Sequence, residues 1–464
     1  MHKGILAACC VLACASTTVF AGPLPSDAEI THMLQVRVDL QKAATGIVVG
    51  IAEPTGNRIV AYGTRGLKDK TPVSGDTVYD IGSITKVFTA LLLADMVQRH
   101  DVALDEPVQE LLPAGRVTIP TYEGKQISLA DLATQTSGLP LRPANLVSKD
   151  PDNKYAGYTV ADLYAFLSSY RLTRAPGSQY EYSNVGFGLL GIALSAHAKM
   201  TYADLVQSRI TVPLGVNDTR IVPTADMVRR EALPYDMDLK PAEHGDEGAL
   251  LGAGALRSTA NDLLKLLDVA LGSKGLPLRL AFNSMVAMRR PGGMQPATAI
   301  ALGWNIFDDG GREIVWKNGS VGGYRAFAGY NKKARLGIVA LANAQTGAGV
   351  DDIGLHLLDP AIPVDLEVPK SHIEISLGVD ILDQFVGRYR FSPTDMLTVG
   401  RRAGHLYIIP APDQPPIEIF AEGPRNFFLK VVNAQVRFGG VKNSHATRAV
   451  WHQSGQDQTG ERVK

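Results

Sequence analysis

A long helical stretch bracketed by two β-patterned ones constrains this chain more than any other feature. Ser26-Asp27-Ala28-Glu29 is a capping box, which predicts a helix running to about Gln41. Residues 46–53 and 57–63 are rich in β-branched side chains and flank Pro54-Thr55-Gly56, a hairpin signal. From 83 to 290 the pattern is mainly helical. An apolar helix covers 83–100, and further capping boxes open at Ser128, Thr159 and Thr201, each with an Asp three residues on. Residues 301–307, 312–317, 322–330 and 336–343 then read as strands joined by short turns, followed by a helix over about 350–358. Strands at both ends of a helical middle predict one α+β unit: a sheet built from the two ends, with the helices packed beside it.

Beyond this unit, residues 359–373 carry Pro360, Pro363 and Pro369 and read as a linker. Val432, Ala434, Val436 and Phe438 then alternate with Asn433, Gln435 and Arg437, the period of a half-buried strand. Strand-like runs at 405–409 and 417–421 fit the same picture, so a small all-β domain is expected over 376–464. The expected division is 22–358, a linker at 359–375, and 376–464.

The first 21 residues read as an export signal. His2 and Lys3 form a short polar start, residues 4–15 are uncharged and mostly apolar, and Ala21 precedes Gly22-Pro23. All three cysteines, Cys9, Cys10 and Cys14, fall inside this segment. The exported chain would then offer no thiol nucleophile and no thiolate metal site. Leu6-Ala7-Ala8-Cys9 mimics a lipoprotein box but leaves too few apolar residues ahead of it. No other run supplies the ~20 apolar residues a bilayer span needs, so the expectation is a periplasmic or secreted protein. With 46 basic and 46 acidic side chains, nothing suggests a nucleic-acid surface.

No G-x-S-x-G elbow, H-E-x-x-H or Cys/His cluster is present, so neither an α/β-hydrolase nor a zinc site is indicated, and no cofactor is expected. Gly186-Phe187-Gly188-Leu189-Leu190-Gly191 matches G-x-G-x-x-G, but no βαβ unit surrounds it, so helix packing is the reading. Three motifs occur in order. Ser83-Ile84-Thr85-Lys86 opens an apolar helix, where the unpaired N–H groups favour negative charge and the i, i+3 spacing puts Lys86 on the face of Ser83. That ammonium can ease ionisation of the serine, or act as a base if burial depresses its pKa. Tyr182-Ser183-Asn184 follows a Pro176-Gly177 turn; a tyrosine held between two lysine cations loses its proton more readily than at its usual ~10. Lys317-Asn318-Gly319 is expected to end the apolar strand at 314–316 and lead into a glycine-rich segment that lets a ligand approach the backbone.

This constellation resembles the penicillin-recognising serine hydrolases, and within them the class C β-lactamase branch, which also holds D-Ala-D-Ala peptidases, D-aminopeptidases and esterases. The stretches LATQTSGLPL (132–141), PGSQYEYSNVGFGLL (176–190), ALGWNI (301–306) and LGIVALAN (336–343) agree with it, and the likeness covers roughly 30–358. The resemblance implies a β-lactamase/DD-peptidase-like fold: an antiparallel sheet flanked by helices, a helical subdomain, and here a barrel-like C-terminal appendage. It implies Ser83 as an acyl-enzyme nucleophile and Lys86 and Tyr182 as sharing general-base and general-acid work. It implies Asn184 and Lys317 as substrate contacts and the N–H groups of Ser83 and Ser320 as an oxyanion hole. Asn318 stands where β-lactamases usually have Thr or Ser, and Arg142 where a glutamine is usual. Asp80 and Thr85 also differ from the usual class C residues beside the serine. The expected substrate is a β-lactam or a peptidoglycan-type D-alanyl peptide. A carboxylesterase on the same residues and a slow-deacylating penicillin-binding receptor remain as alternatives.

Overall fold

The computed structural model describes residues 24–463 apart from 149–152, 273–276, 295, 348, 369–371, 393–395, 403, 410–415, 432, 443 and 454–455. The segment read as an export signal, with its cysteines, lies outside the described residues.

Helix α1 (Asp27–Gln35) begins as its sequence dictates: Ser26 Oγ accepts from the Glu29 N–H, and the Glu29 carboxylate accepts from the Ser26 N–H. Its turns continue to Leu40. Strands β1 (Gly46–Glu53) and β2 (Gly56–Gly63) form the expected hairpin. The remaining strands of the sheet come from much later in the chain: β3 (Arg290–Pro291), β4 (Ala299–Ile300), β5 (Asn305–Asp308), β6 (Glu313–Val321), β7 (Tyr324–Asn331) and β8 (Leu336–Ala342). Their order is β2-β1-β8-β7-β6-β5-β4-β3, antiparallel throughout.

Two stretches depart from the expected pattern. Residues 301–307 are not one strand: β4 ends at Ile300, a tight turn follows in which the Ala301 N–H donates to Trp304 O, and β5 starts at Asn305. The turn's apolar side chains, Ala301, Leu302 and Trp304, are buried without belonging to a strand, which is why the composition misleads. Lys317 does not end its strand either. β6 continues to Val321, because Gly319 has no side chain to collide with the turn before Ser83.

Helix α2 (Thr85–Gln98) is buried along almost its whole length. It packs against α3 (Asn184–Ala198), the short α4 (Leu251–Gly254) and the Arg279–Ala287 helix. The glycine run of α3 serves this packing: a Cβ on Gly188 would meet Leu250 at 2.4 Å, and one on Gly191 would meet Gly252 Cα at 3.3 Å. Helix α5 (Ala260–Ala270) lies on the same face of the sheet, and α6 (Asp351–Leu358) on the other with α1. Two-sided cover explains why β8 reads as an unbroken apolar run. Val339 and Leu341 enter one core, while Ile338 and Ala340 enter the other.

From the short helix Val379–Leu382 the chain passes into eight strands that close into a barrel. They are β9 (Gly387–Arg390), β10 (Met396–Arg402), β11 (His405–Ile409), β12 (Ile417–Ala421), β13 (Asn426–Phe428), β14 (Ala434–Lys442), β15 (His445–Gln453) and β16 (Gln456–Val463). β16 pairs with both β15 and β9, so no edge is left open. Ala434, Val436 and Phe438 point inward while Arg437 is exposed, the expected alternation. Phe385, Phe427, Phe438 and Tyr389 form an aromatic cluster with ring centroids 4.8–5.6 Å apart. Among the described residues, no helix is long and apolar enough to cross a membrane.

Candidate active site

Ser83 stands in the single turn Gly82–Ile84 that opens into α2. Lys86 follows one turn along and is fully buried. Its Nζ donates to Ser83 Oγ at 3.0 Å, to Asn184 Oδ1 at 2.8 Å and to the Ala253 carbonyl at 2.8 Å. Tyr182 OH donates to the same Ser83 Oγ at 2.6 Å. The serine oxygen thus accepts two hydrogen bonds, one from each element flanking it. Tyr182 is fixed by its surroundings: the Ser183 N–H donates to Gln135 Oε1 at 2.6 Å, and Ser183 Oγ caps α3 by accepting from the Gly186 N–H. Burial pulls the Lys86 ammonium well below the usual lysine range, while the Glu247 carboxylate draws it back up.

The third motif arrives on β6. Lys317 is 1% exposed, and its Nζ lies 5.3 Å from the Tyr182 ring centre, with Lys86 Nζ at 4.9 Å from the same ring. Burial lowers the Lys317 pKa, opposed by Tyr182. Gly82 and Gly319 let β6 lie directly on the nucleophile turn. A Cβ on Gly82, whose φ is +48°, would sit 2.9 Å from Ser320 N, and one on Gly319 would sit 2.0 Å from Ile81 O and 3.1 Å from Ser83 N. The backbone N–H groups of Ser83 and Ser320 therefore flank one narrow junction. Ser320 Oγ accepts from Gln345 Nε2 at 3.1 Å.

Asn318 is committed elsewhere. Its Nδ2 donates to Asp351 Oδ2 at 2.6 Å and its Oδ1 accepts from Lys317 Nζ at 3.2 Å. Asp351, in the first turn of α6, has its carboxyl pKa raised by burial, with the Asn318 hydrogen bond working against the rise. Arg142 is exposed at the rim and acts on the Tyr155 hydroxyl, which itself accepts from Asn184 Nδ2 at 3.2 Å.

Ser83, Lys86, Tyr182, Asn184, Lys317, Asn318, Gly319 and Ser320 are brought together, with Arg142 one residue removed. Three neighbours escaped the sequence reading: Tyr155, Glu247 and Asp351. Asp351 looked like an ordinary acidic residue in a helix's first turn. The only hint at Glu247 was its glycine-spaced setting, Gly245-Asp246-Glu247-Gly248.

Just before the nucleophile turn, at Asp80, lies an ion-pair quartet. Arg257 bridges Asp80 and Glu231 at 2.9 and 3.1 Å, and the two ring nitrogens of His244 face the same carboxylates at 3.0 and 3.3 Å. Burial opposes the His244 charge, but the hydrogen bonds to Asp80 and Glu231 outweigh it and raise its pKa to about 9. Asp80, Glu231 and His244 are the one group of three among the described residues with metal-ligand spacing. Arg257 already supplies a cation to both carboxylates.

The chain is similar to known proteins over its sheet and helical region. The beta-lactamase family model matches residues 28–359. The D-alanyl-D-alanine-carboxypeptidase/endopeptidase AmpH of Escherichia coli K12 is 27% identical over 361 residues, covering 73% of this chain and 90% of that protein. A beta-lactamase of the same organism is 26% identical, covering 72% and 93%. A beta-lactamase/D-alanine carboxypeptidase from Yersinia pestis, solved with citrate, superposes with a TM-score of 0.59 at 25% identity, covering 69% of this chain and 94% of that one. A class C beta lactamase from Rhodobacter sphaeroides gives 0.59 at 26%, covering 68% and 94%. The match extends over the whole sheet and helical region and stops before the barrel: the chain belongs to the beta-lactamase family.

Proposed function

We propose that the protein is an exported serine hydrolase that works through an acyl-enzyme on Ser83 and acts on β-lactam or D-alanyl amide bonds. The observation that carries this reading is the Ser83 oxygen, which accepts from Lys86 Nζ and Tyr182 OH at once. In acylation Ser83 Oγ bonds to the substrate carbonyl carbon and its proton passes to the Lys86–Tyr182 pair. The scissile C–N bond then breaks, and the same pair returns a proton to the leaving nitrogen. Water reverses the sequence to release the acyl group. The Ser83 and Ser320 N–H groups receive the developing oxyanion; in such sites one donor is worth about 10²–10³-fold in rate. Asn184 orients Lys86 and the substrate amide, and Lys317 supplies positive potential beside Tyr182. Residues 22–358 form the hydrolase unit in this reading, 359–375 the linker and 376–464 the appended domain, and residues 1–21 direct export.

One observation favours a second reading, a carboxylesterase on the same residues. The Asn318 amide oxygen accepts from Lys317 and one of its two N–H groups donates to Asp351, which leaves a single N–H for a substrate carboxylate. Nitrocefin, a D-Ala-D-Ala peptide and p-nitrophenyl butyrate separate the two. Turnover of either of the first two supports the amide reading; turnover of the ester alone overturns it. A persistent Ser83 adduct after penicillin addition, seen by mass spectrometry without turnover, would point to a slow-deacylating receptor instead.

A further inference from the structure

We propose that Glu247 is a positioning residue for the chemistry at Ser83: its carboxylate, seated against Gly254, sets the charge and orientation of Lys86. The proposal rests on the reading of Ser83 and Lys86 as the acylating pair.

The geometry is built from three observations. First, the direct acceptors of Lys86 Nζ are a hydroxyl, a side-chain amide and a peptide carbonyl, none of which carries a full negative charge. A buried ammonium with only neutral acceptors is poorly supported. Second, one of those acceptors is the Ala253 carbonyl, and the next residue, Gly254, is where the Glu247 carboxylate lies. A Cβ on Gly254 would meet Glu247 Oε1 at 2.7 Å and Oε2 at 3.2 Å. Gly254 is helical and needs no glycine for its backbone, so its missing side chain is explained by the carboxylate beside it. Third, the segment carrying Glu247 is tied down on both sides. His244 is held by Asp80 and Glu231, the Asp246 N–H donates to Asn153 Oδ1 at 2.8 Å, and the Gly248 N–H donates to Asp246 Oδ1 at 2.8 Å.

The other charged and titratable groups facing this pair are Tyr182, Lys317, Tyr155, Asp246 and Asp80. Lys317 disfavours a second cation at Lys86, and Asp246 and Asp80 disfavour a second anion at Glu247. Glu247 is thus the counter-charge that keeps Lys86 protonated until the pH is high enough for the pair to lose its proton. Burial raises the Glu247 carboxyl, and Lys86 pulls it back down.

Removing the negative charge lets Lys86 deprotonate at lower pH, so the limb of the rate profile that reports Lys86 moves to lower pH. The readout is the rate at which a fluorophosphonate probe labels Ser83, followed by intact mass over pH 5–10. This step joins Ser83 Oγ to phosphorus, expels fluoride and sends the serine proton to the base. E247Q is expected to shift the profile down by about one pH unit, the usual scale for a nearby opposite charge. E247D keeps the charge and is expected to retain the wild-type profile, and G254A, which wedges the carboxylate away, to shift it as E247Q does. An E247Q profile that superimposes on wild type, with only the amplitude changed, overturns the proposal. If E247Q does not fold, a wild-type profile in G254A overturns it equally. S83A keeps the two readings apart: undiminished labelling in S83A sinks the Ser83 site and this proposal with it, whereas loss of labelling with an unmoved E247Q profile sinks this proposal alone.

Discussion

Lys86, Lys317, Arg37, Asp80, Asp131 and Asp262 are all buried in the sheet-and-helix region, whereas the barrel buries no charged or amide side chain among its described residues. Both regions are β-rich and both have apolar interiors. The barrel resolves its interior with rings and aliphatic groups, and the one hydroxyl in its aromatic cluster, on Tyr389, donates to Phe385 O at 2.8 Å. The sheet region instead carries charges whose desolvation opposes folding and which need partners to persist. Buried charge marks the sheet region off from the barrel. Lys86 and Lys317 lie at the site, whereas Arg37, Asp131 and Asp262 are held by the ion pairs with Asp352, Arg290 and Lys265.

This contrast can be broken from either side. The largest effect is expected from Lys86→Met, which should lower turnover of the best substrate by about 10³-fold or more. It should leave the melting of the barrel unchanged, as read by calorimetry. In the opposite direction, Phe438→Ala empties part of the aromatic cluster and should cost the barrel about 3–5 kcal/mol. Here kcat/KM should match the wild type at temperatures where the barrel remains folded. If Phe438→Ala instead reduces turnover, the barrel contributes to the site and the division of labour fails.

A smaller effect is expected from Asn318→Thr, which removes the donor to Asp351 and restores a free hydroxyl beside Lys317. Nitrocefin turnover relative to p-nitrophenyl butyrate should rise about tenfold, the scale of one hydrogen bond to a charged group. An unchanged ratio would show that Asn318 does not set the preference. The smallest effect concerns the quartet at Asp80. His244 has its pKa raised from 6.5 to about 9 on folding. Its stabilisation is therefore complete below about 6.5 and is lost as the pH rises through about 9. The Tm of the sheet region should fall across that window, and His244→Gln should flatten the fall.

The site was legible to the degree that it is local. Ser83 and Lys86 share one helical turn, and Tyr182 and Asn184 frame one helix start, so their spacing alone announces a shared face. Glu247 and Asp351 reach the same residues through tertiary packing, across gaps that no short pattern spans. The hairpins and capped helices were readable for the same reason, through Ser26, Ser128 and Thr159 with their acidic partners. The turn at 301–304 was not, because buried apolar residues look alike in a turn and a strand. Alternation at Ala434, Val436 and Phe438 disclosed a strand, but nothing in it disclosed that β16 would return to β9.

That return has a counterpart in the sheet, where Ile47 pairs with Ala342 and Ala52 with Gly337. Each β-structure is completed by joining an early segment to a late one, so the order of synthesis and the order of assembly oppose each other. The β1–β2 hairpin emerges early yet has no further strand beside it until β8 has been made. The barrel cannot shut until its last strand is available. Contacts so distant along the chain make folding slow and its closing steps late. Local hairpins can pair as they are made, while the β1–β8 and β9–β16 pairings that complete each structure come last.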